Sequence, residues 1–142
     1  GSQFDALFNE GDSIHIGQMR VDVLHTPGHT PGSACYRIAD QLITGDTLFV
    51  FGCGRCDLRG GDPEQMYQTI DNMQHKLPED TLILPGHNYA EKETSSLGEQ
   101  IEGNPFMHFD DLDRFVHYRM HYHDKHRDGP YGPVCKGDEM PD

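Results

Sequence analysis

The sequence predicts an α/β fold in which one mixed β-sheet carries helices, and three similar junctions along the chain are the main reason. At each junction a short apolar run typical of a strand ends in glycine, and a residue able to bind a metal follows at once. These three residues are His29, Asp46 and His87. Glycine permits a sharp turn as the chain leaves a strand, and open α/β sheets build their sites at the carboxyl ends of strands. If the three strands share a sheet, the three side chains converge on one edge.

Much of the first half of the chain is predicted to form strands, because apolar and polar residues alternate there as they do in half-buried strands. Gly17-Gln18 suits a tight hairpin turn between the first two strands, and Ala39-Asp40 joins the next two. A short, continuously apolar run before the third junction predicts a buried strand. The predicted strands cover residues 12–17, 19–24, 33–38, 41–44 and 81–84, with 47–51 as an extension or the start of a glycine-rich loop.

The clearest predicted helix follows the glycine-rich loop. Asp62 is a suitable N-cap, Pro63 fits the first turn, and Gln65 completes a capping box with Asp62. Apolar side chains recur on one face of this helix as core-packing residues, and Pro78 ends it. Two further helices are predicted, over residues 94–101 and 110–126.

Composition and charge indicate a single soluble domain without nucleic-acid or membrane partners. The 142 residues carry a formal net charge of −13, and 35% of them are hydrophobic. Binding to nucleic acid needs clustered Lys and Arg, and a bilayer span needs about 20 consecutive apolar residues. The sequence contains neither. Its first residues lack the pattern of a signal peptide, and Gly1-Ser2 resembles an expression scar.

Cysteine and histidine clusters outside the junctions give weaker signals. Cys53 and Cys56 form a C-x-x-C pair, which invites a redox or zinc interpretation, but the pair lies in the glycine-rich loop and no second pair completes a zinc ribbon. We therefore predict reduced, unpaired thiols and a cytoplasmic protein. His117 and His121 are one helical turn apart, a spacing that can chelate a metal. An exposed, solvated histidine face that extends to His126 is the preferred interpretation.

Four segments carry a resemblance to a known family: HTPGHTPGS (25–33), ITGDTLF (43–49), GCGRCDLRGGDPEQMY (52–67) and LPGHNY (84–89). They resemble the metallo-β-lactamase superfamily, and most closely its branch of glyoxalase II and persulfide dioxygenase enzymes. The family's first metal-binding motif, H-x-H-x-D-H, is absent from this sequence. The resemblance therefore implies the C-terminal half of an αββα sandwich over residues 3–128. The Gly/Pro-rich, acidic composition of residues 129–142 separately predicts a disordered tail.

The resemblance also implies a metal centre built from the three junction residues. His29 would bind a first metal ion, His87 a second, and Asp46 would bridge both ions or bind a single iron. Two imidazoles and a carboxylate suit zinc, iron or manganese, and two zinc ions are expected in the complete domain, with iron as the alternative. Each zinc ion would keep only two protein ligands here, whereas catalytic zinc normally has three, so metal binding by the isolated chain should be weak.

The leading functional hypothesis is a metal-dependent thioester hydrolase of glyoxalase II type, with metal-bound hydroxide as the nucleophile. An iron-dependent persulfide dioxygenase is the alternative enzyme, and a non-catalytic half-domain is the alternative outside enzymes. Arg55 and Tyr89 are expected to contact a thioester or another thiol-derived substrate. His25 and Thr30 are expected to support the metal ligands through hydrogen bonds.

The half-sandwich predicts an uncovered sheet face. A single layer of sheet with helices on one side leaves its other side apolar, and soluble monomers rarely expose a large apolar patch. We therefore expect the chain to pair with the missing N-terminal half, or with a second copy across a two-fold axis. The residues predicted to form this face are Ile14, Ile16, Val21, Val23, Leu42 and those of the strand 82–84.

Overall fold

A six-stranded mixed sheet forms the centre of the computed structural model, which describes residues 13–127 and 129–140. The sheet order is β1-β2-β3-β4-β7-β8, and β5 and β6 form a separate two-stranded hairpin. The mixed sheet with helices predicted from the sequence is confirmed. The strands are β1 (Ser13–Ile16), β2 (Met19–His25), β3 (Ala34–Ile38), β4 (Gln41–Gly45), β5 (Leu48–Phe49), β6 (Gly52–Cys53), β7 (Leu82–Pro85) and β8 (Ser95–Ser96).

Strand direction explains why the three junctions meet. Strand β3 is antiparallel to both β2 and β4, and β7 runs parallel to β4. Strands β2, β4 and β7 therefore share one direction, so their carboxyl ends lie along the same edge of the sheet. Each of these ends is followed by one of the glycine junctions.

Helix α1 (Pro63–Lys76) begins where the sequence predicts, but the backbone N–H of its N-cap residue bonds to a different group from the predicted one. The Asp62 carboxylate accepts hydrogen bonds from the backbone N–H groups of Glu64 and Gln65 at 2.9 and 3.2 Å. The Asp62 N–H donates to the carbonyl of Gly28 at 2.7 Å, not to Gln65 as a capping box would require. The helix start is thereby tied to the first junction.

The remaining helices are shorter and less regular than the sequence predicts. Helix α2 (Leu97–Gly103) starts after residue 94 because the Ser96 side chain caps it. The predicted helix 110–126 consists of α3 (Leu112–His117), a π-helical turn and a 3₁₀ turn in succession. Among the described residues, no helix combines the length and the apolar character needed to cross a membrane.

The core lies between the helices and one face of the sheet. Cys35, Leu42 and Ile83 are fully buried there, and they belong to one cluster with Met66 of α1 and Phe115 of α3. The prediction that Leu42 and Ile83 belong to the uncovered face is wrong. These two residues are register partners in β4 and β7 and face the helices, and because side chains alternate along a strand, their neighbours face the other way.

The opposite face of the sheet retains exposed apolar side chains. Register pairs across β1 to β4 place Ile16, Met19, Tyr36 and Ile43 on it, with exposed fractions of 61%, 44%, 40% and 39%. Val21 and Val23 share this face and are buried.

The C-terminal segment Gly129–Met140 is packed against the domain, in contrast to the disordered tail that the sequence predicts. Tyr131 is buried and forms a β-bridge with Ala90. The buried carboxylate of Glu139 accepts a hydrogen bond of 2.6 Å from His108 Nδ1. These two anchors hold a segment whose glycine- and proline-rich composition resembles a disordered chain. The predicted expression scar, Gly1-Ser2, lies outside the described residues.

Candidate metal centre

The three junction side chains meet around the carboxylate of Asp46. Asp46 Oδ1 accepts a hydrogen bond of 2.7 Å from His87 Nδ1, and Asp46 Oδ2 lies 3.9 Å from His29 Nε2. The carboxylate thus stands between two imidazoles, which is the arrangement that a bridging role would need. All three side chains are partly exposed to the same cleft.

The first junction is fixed in place by helix α1. Gly28 has φ 141°, a backbone conformation that side chains rarely permit, and a Cβ there would lie 2.6 Å from Met66 Cα. The hydroxyl of Thr69, also on α1, donates to the carbonyl of Pro27 at 2.7 Å. These contacts fix the position of the backbone just before His29.

The second and third junctions are joined by a backbone hydrogen bond. Gly45 takes φ 52°, which turns the chain at the end of β4, and its carbonyl accepts from the N–H of Gly86 at 2.8 Å. This bond brings the glycine before Asp46 next to the glycine before His87. The Thr44 hydroxyl stabilises this turn, because it donates a hydrogen bond to the carbonyl of Leu48 at 2.7 Å.

The glycine-rich loop orients His29. His29 Nδ1 donates to the backbone carbonyl of Arg55 at 2.8 Å, and because a carbonyl can only accept, Nδ1 carries the proton. In the neutral ring Nε2 then carries the lone pair that a metal ligand requires, and it lies 3.9 Å from Asp46 Oδ2. Gly54 packs directly on Asp46 and His29, since a Cβ there would lie 2.0 Å from the carbonyl oxygen of Asp46 and 3.1 Å from His29 Cβ.

A cleft of about 460 Å³ opens above the three junction residues. The ring of Tyr89 stacks on His87, with centroids 5.5 Å apart and planes at 14°, and meets Phe49 edge to face. The cleft therefore combines an aromatic wall with basic groups. Its aromatic residues are Phe49, Tyr89 and Tyr131, and its arginines are Arg55, Arg119 and Arg127.

Arg55 lines the cleft but already has an anionic partner. Its Nε and Nη2 atoms donate to the two carboxylate oxygens of Asp57 at 2.7 and 2.8 Å. These bonds lower the pKa of Asp57 to about 2. The side chains are both exposed, so the pair can open towards a ligand at small cost.

Two residues predicted to support the metal ligands contact other groups. The Nε2 atom of His25 bonds to the carbonyl of Pro31 at 2.8 Å, and the Thr30 hydroxyl bonds to that of Ser33 at 2.6 Å. Both interactions shape the loop after β2 and lie outside the contacts of the Asp46 carboxylate. The group that orients His29 is a backbone carbonyl, which residue type alone cannot reveal.

The C-x-x-C pair consists of free, buried thiols. Burial raises the pKa of Cys53 to about 11, so its sulfur stays protonated. The histidine face is only partly as predicted. His117, His121 and His126 are exposed, whereas His123 is buried against Phe106.

Several residues that line the cleft were not predicted from the sequence. Arg119 follows Phe115 by four residues, so a charged side chain occupies the apolar stripe of the predicted helix, and this irregularity was the available signal. The other missed residues are Asp124, Arg127 and Tyr131.

The geometry around Asp46 fits a metal ion on one side only. Zinc bonds to histidine and carboxylate measure about 2.0–2.2 Å, so an ion can fit between His29 Nε2 and Asp46 Oδ2, which are 3.9 Å apart. The 2.7 Å contact between His87 and Asp46 is a hydrogen bond and leaves no such space. Within residues 13–127 and 129–140, no group of three or more His, Cys, Asp or Glu side chains is arranged to hold an ion.

Comparison with known proteins assigns the chain to a family. The family described as "Metallo-beta-lactamase superfamily" matches residues 3–87, and the chain belongs to it.

Individual relatives within the superfamily carry different enzyme names. A probable polyketide biosynthesis zinc-dependent hydrolase, BaeB of Bacillus velezensis, is 33% identical over 110 residues, covering 78% of this chain and 49% of the relative. The human mitochondrial persulfide dioxygenase ETHE1 is 36% identical over 107 residues, covering 74% and 42%. The crystal structure of ETHE1 from Myxococcus xanthus superposes with a TM-score of 0.75 at 33% identity, covering 87% of this chain and 53% of that one. The chain thus spans about half the length of the relatives it matches.

Proposed function

We propose that this chain supplies the His29–Asp46–His87 half of a metal-dependent hydrolase that cleaves thioesters. The observation that supports the proposal most directly is the Asp46 carboxylate, which lies between two imidazoles at the base of an open cleft. The relative named as a zinc-dependent hydrolase agrees with it. Two zinc ions in the complete domain remain our expectation, with iron as the alternative.

Four side chains, those of His29, Asp46, His87 and Tyr89, would prepare the site for a bound metal ion. A bound divalent ion would supply a water molecule of lowered pKa and would polarise the substrate carbonyl. His29 would present Nε2 as a ligand because the Arg55 carbonyl holds the proton on Nδ1. Asp46 would contribute the negative charge, and His87 would hold its second oxygen by a hydrogen bond. Tyr89 would support the His87 ring by stacking.

The cleft fits an anionic, thiol-derived substrate better than a neutral one. Three arginines line it together with the carboxylate of Asp46, and its aromatic residues offer apolar surface for a carrier chain. We expect Arg55 to exchange Asp57 for a substrate carboxylate or phosphate, because arginine binds planar anions through the same paired geometry. A cytoplasmic location, consistent with free thiols, stays part of the proposal.

The alternative is an iron-dependent persulfide dioxygenase, and one observation favours it. His87 Nδ1 hydrogen-bonds Asp46 Oδ1 at 2.7 Å, whereas His29 Nε2 lies 3.9 Å from Asp46 Oδ2, so this arrangement suits a single metal on the His29 side. The relative named persulfide dioxygenase supports the same alternative.

Metal analysis and two assays on the full-length protein separate these functions. Two zinc ions with release of thiol from a glutathione thioester would support the hydrolase. One iron with oxygen consumption on a glutathione persulfide would support the dioxygenase. A full-length protein that binds metal but performs neither reaction would favour the non-catalytic alternative.

Arg55→Ala in the full-length protein should raise KM for an anionic thioester about 10-fold while metal content stays unchanged. The substitution removes the guanidinium but keeps the backbone carbonyl that holds His29. Steady-state kinetics and metal analysis would measure both effects. Arg59→Ala is the matched control, because Arg59 is an exposed arginine of the same loop and is not among the cleft residues. Loss of metal in Arg55→Ala would contradict a substrate-binding role.

We also propose that the exposed sheet face is covered by the complementary half of the domain. Four large apolar side chains lie exposed on it, and the chain matches about half of each relative compared. We expect the isolated chain to associate in size-exclusion chromatography with light scattering, and to become monodisperse when produced together with the complementary half. A defined symmetric dimer would favour a second copy as the cover. A monodisperse monomer of 16.1 kDa that unfolds cooperatively would contradict both.

A further inference from the structure

A buried arginine outside the metal centre lies at an irregular point of the C-terminal helical stretch. Arg119 belongs to the π-helical turn Tyr118–Tyr122 between α3 and the following 3₁₀ turn. Its side chain is only 2% exposed. Such π turns occur frequently at functional sites, because the extra residue displaces one side chain from the regular helical face. A buried charge without a structural reason is costly, so its contacts should identify its role.

The contacts of Arg119 join three separate parts of the chain. Its Nη2 atom donates to both carboxylate oxygens of Asp124 at 2.8 Å, which balances the buried charge. Its Cζ atom lies 4.7 Å from the ring centroid of Phe106. Its Nη1 atom donates to the backbone carbonyl of Cys53 at 2.9 Å. This last bond reaches the start of the glycine-rich loop, 66 residues earlier in the chain.

The carbonyl that Arg119 holds belongs to a peptide unit fixed from both sides. On its other side, the N–H of Gly54 donates to the carbonyl of Thr47 at 3.0 Å, directly after Asp46. One residue further on, the carbonyl of Arg55 accepts the proton of His29 Nδ1. The anchored Cys53–Gly54 peptide lies two peptide units before the Arg55 carbonyl, so it restricts the positions that this carbonyl can take.

We propose that Arg119 is a positioning residue for the metal centre: it anchors the Cys53–Gly54 peptide so that the Arg55 carbonyl keeps His29 in the Nδ1–H tautomer. Only that tautomer presents the Nε2 lone pair to a metal beside Asp46. Arginine suits this role because its planar fork serves Asp124 and Cys53 at the same time, which a lysine ammonium cannot do with the same geometry. The inference rests on the proposed metal-dependent function.

The test is the tautomer of His29 in metal-free, full-length protein, read from ¹⁵N–¹H correlation spectra of histidine side chains in alkaline buffer, where imidazoles are neutral. We expect the wild-type protein to show His29 as the Nδ1–H form. Arg119→Met should raise the Nε2–H fraction several-fold and weaken zinc binding about 10-fold, as outer contacts of metal ligands do. Arg114→Met is the control, since Arg114 is an exposed arginine of α3, and it should change neither quantity.

A second variant tests the proposal even if Arg119→Met does not fold. Arg119→Lys keeps the charge beside Asp124 but not the fork, so it should fold, and it should shift the His29 tautomer in the same direction. A wild-type tautomer in a folded Arg119→Met protein, or in Arg119→Lys if the methionine variant does not fold, would overturn the proposal. Failure of the wild-type protein to bind zinc or iron, together with a tautomer shift in the variants, would instead reject the proposed function and leave only the effect of Arg119 on the His29 tautomer standing.

Discussion

Replacing Asp46 with alanine in the full-length protein should lower zinc affinity by more than about 100-fold, whereas His87→Ala should lower it only about 10-fold. In the proposed site, Asp46 would offer its Oδ2 to an ion on the His29 side, while its Oδ1 accepts a hydrogen bond from His87. Its loss therefore removes a ligand and the negative charge together. Loss of His87 removes a hydrogen-bond partner of that carboxylate and, in a two-metal site, one ligand of the second ion. Competition with a chelating dye would measure both affinities.

The control for this comparison is Asp57→Ala, which removes a neighbouring exposed carboxylate paired with Arg55. It should leave zinc affinity within about 2-fold of wild type, because exposed ion pairs contribute little. Thermal unfolding of all three variants would establish that each is folded. Equal losses of zinc in Asp46→Ala and His87→Ala would contradict a bridging role for Asp46.

The convergence of the three junctions could be predicted because it follows from local rules. Strands that run in the same direction end at the same edge of the sheet, so the residues that follow them lie at that edge. Gly45 and Gly28 form the turns at the ends of two of these strands. The start of α1 could be predicted for the same reason, since a cap depends on Asp62 and the two N–H groups beside it. The side-chain contact between His87 and Asp46 is a consequence of this shared edge.

The contacts that could not be predicted from the sequence are those that depend on parts of the backbone distant in the chain. The Arg55 carbonyl holds His29 whatever side chain residue 55 carries, so the composition of the loop does not report it. The face taken by Leu42 depends on strand register, and in a short apolar strand both faces look alike. The tail is fixed by one aromatic ring and one buried carboxylate, Tyr131 and Glu139, within a segment that otherwise resembles a disordered chain.

Gly54→Ala should lower the free energy of unfolding by about 3 kcal/mol and should also reduce metal affinity. A Cβ at this position would lie 2.0 Å from the backbone oxygen of Asp46. Backbone atoms cannot swing aside as a flexible side chain would, so the loop must move away from the second junction. That movement would carry the Arg55 carbonyl away from His29, which couples the loss of stability to the loss of metal. Urea unfolding and zinc titration on the same preparation would measure both.

Gly32→Ala is the matched control for this last expectation. A Cβ on Gly32, in the loop after β2, would meet no atom within 4 Å. Because alanine reduces the freedom of the unfolded chain, this substitution should leave stability within about 0.5 kcal/mol of wild type or raise it slightly. Similar unfolding curves for the two variants would mean that Gly54 of the glycine-rich loop is not closely packed against Asp46 and His29. A destabilised Gly54→Ala protein with unchanged zinc affinity would mean that the loop supports the fold but does not set the orientation of His29.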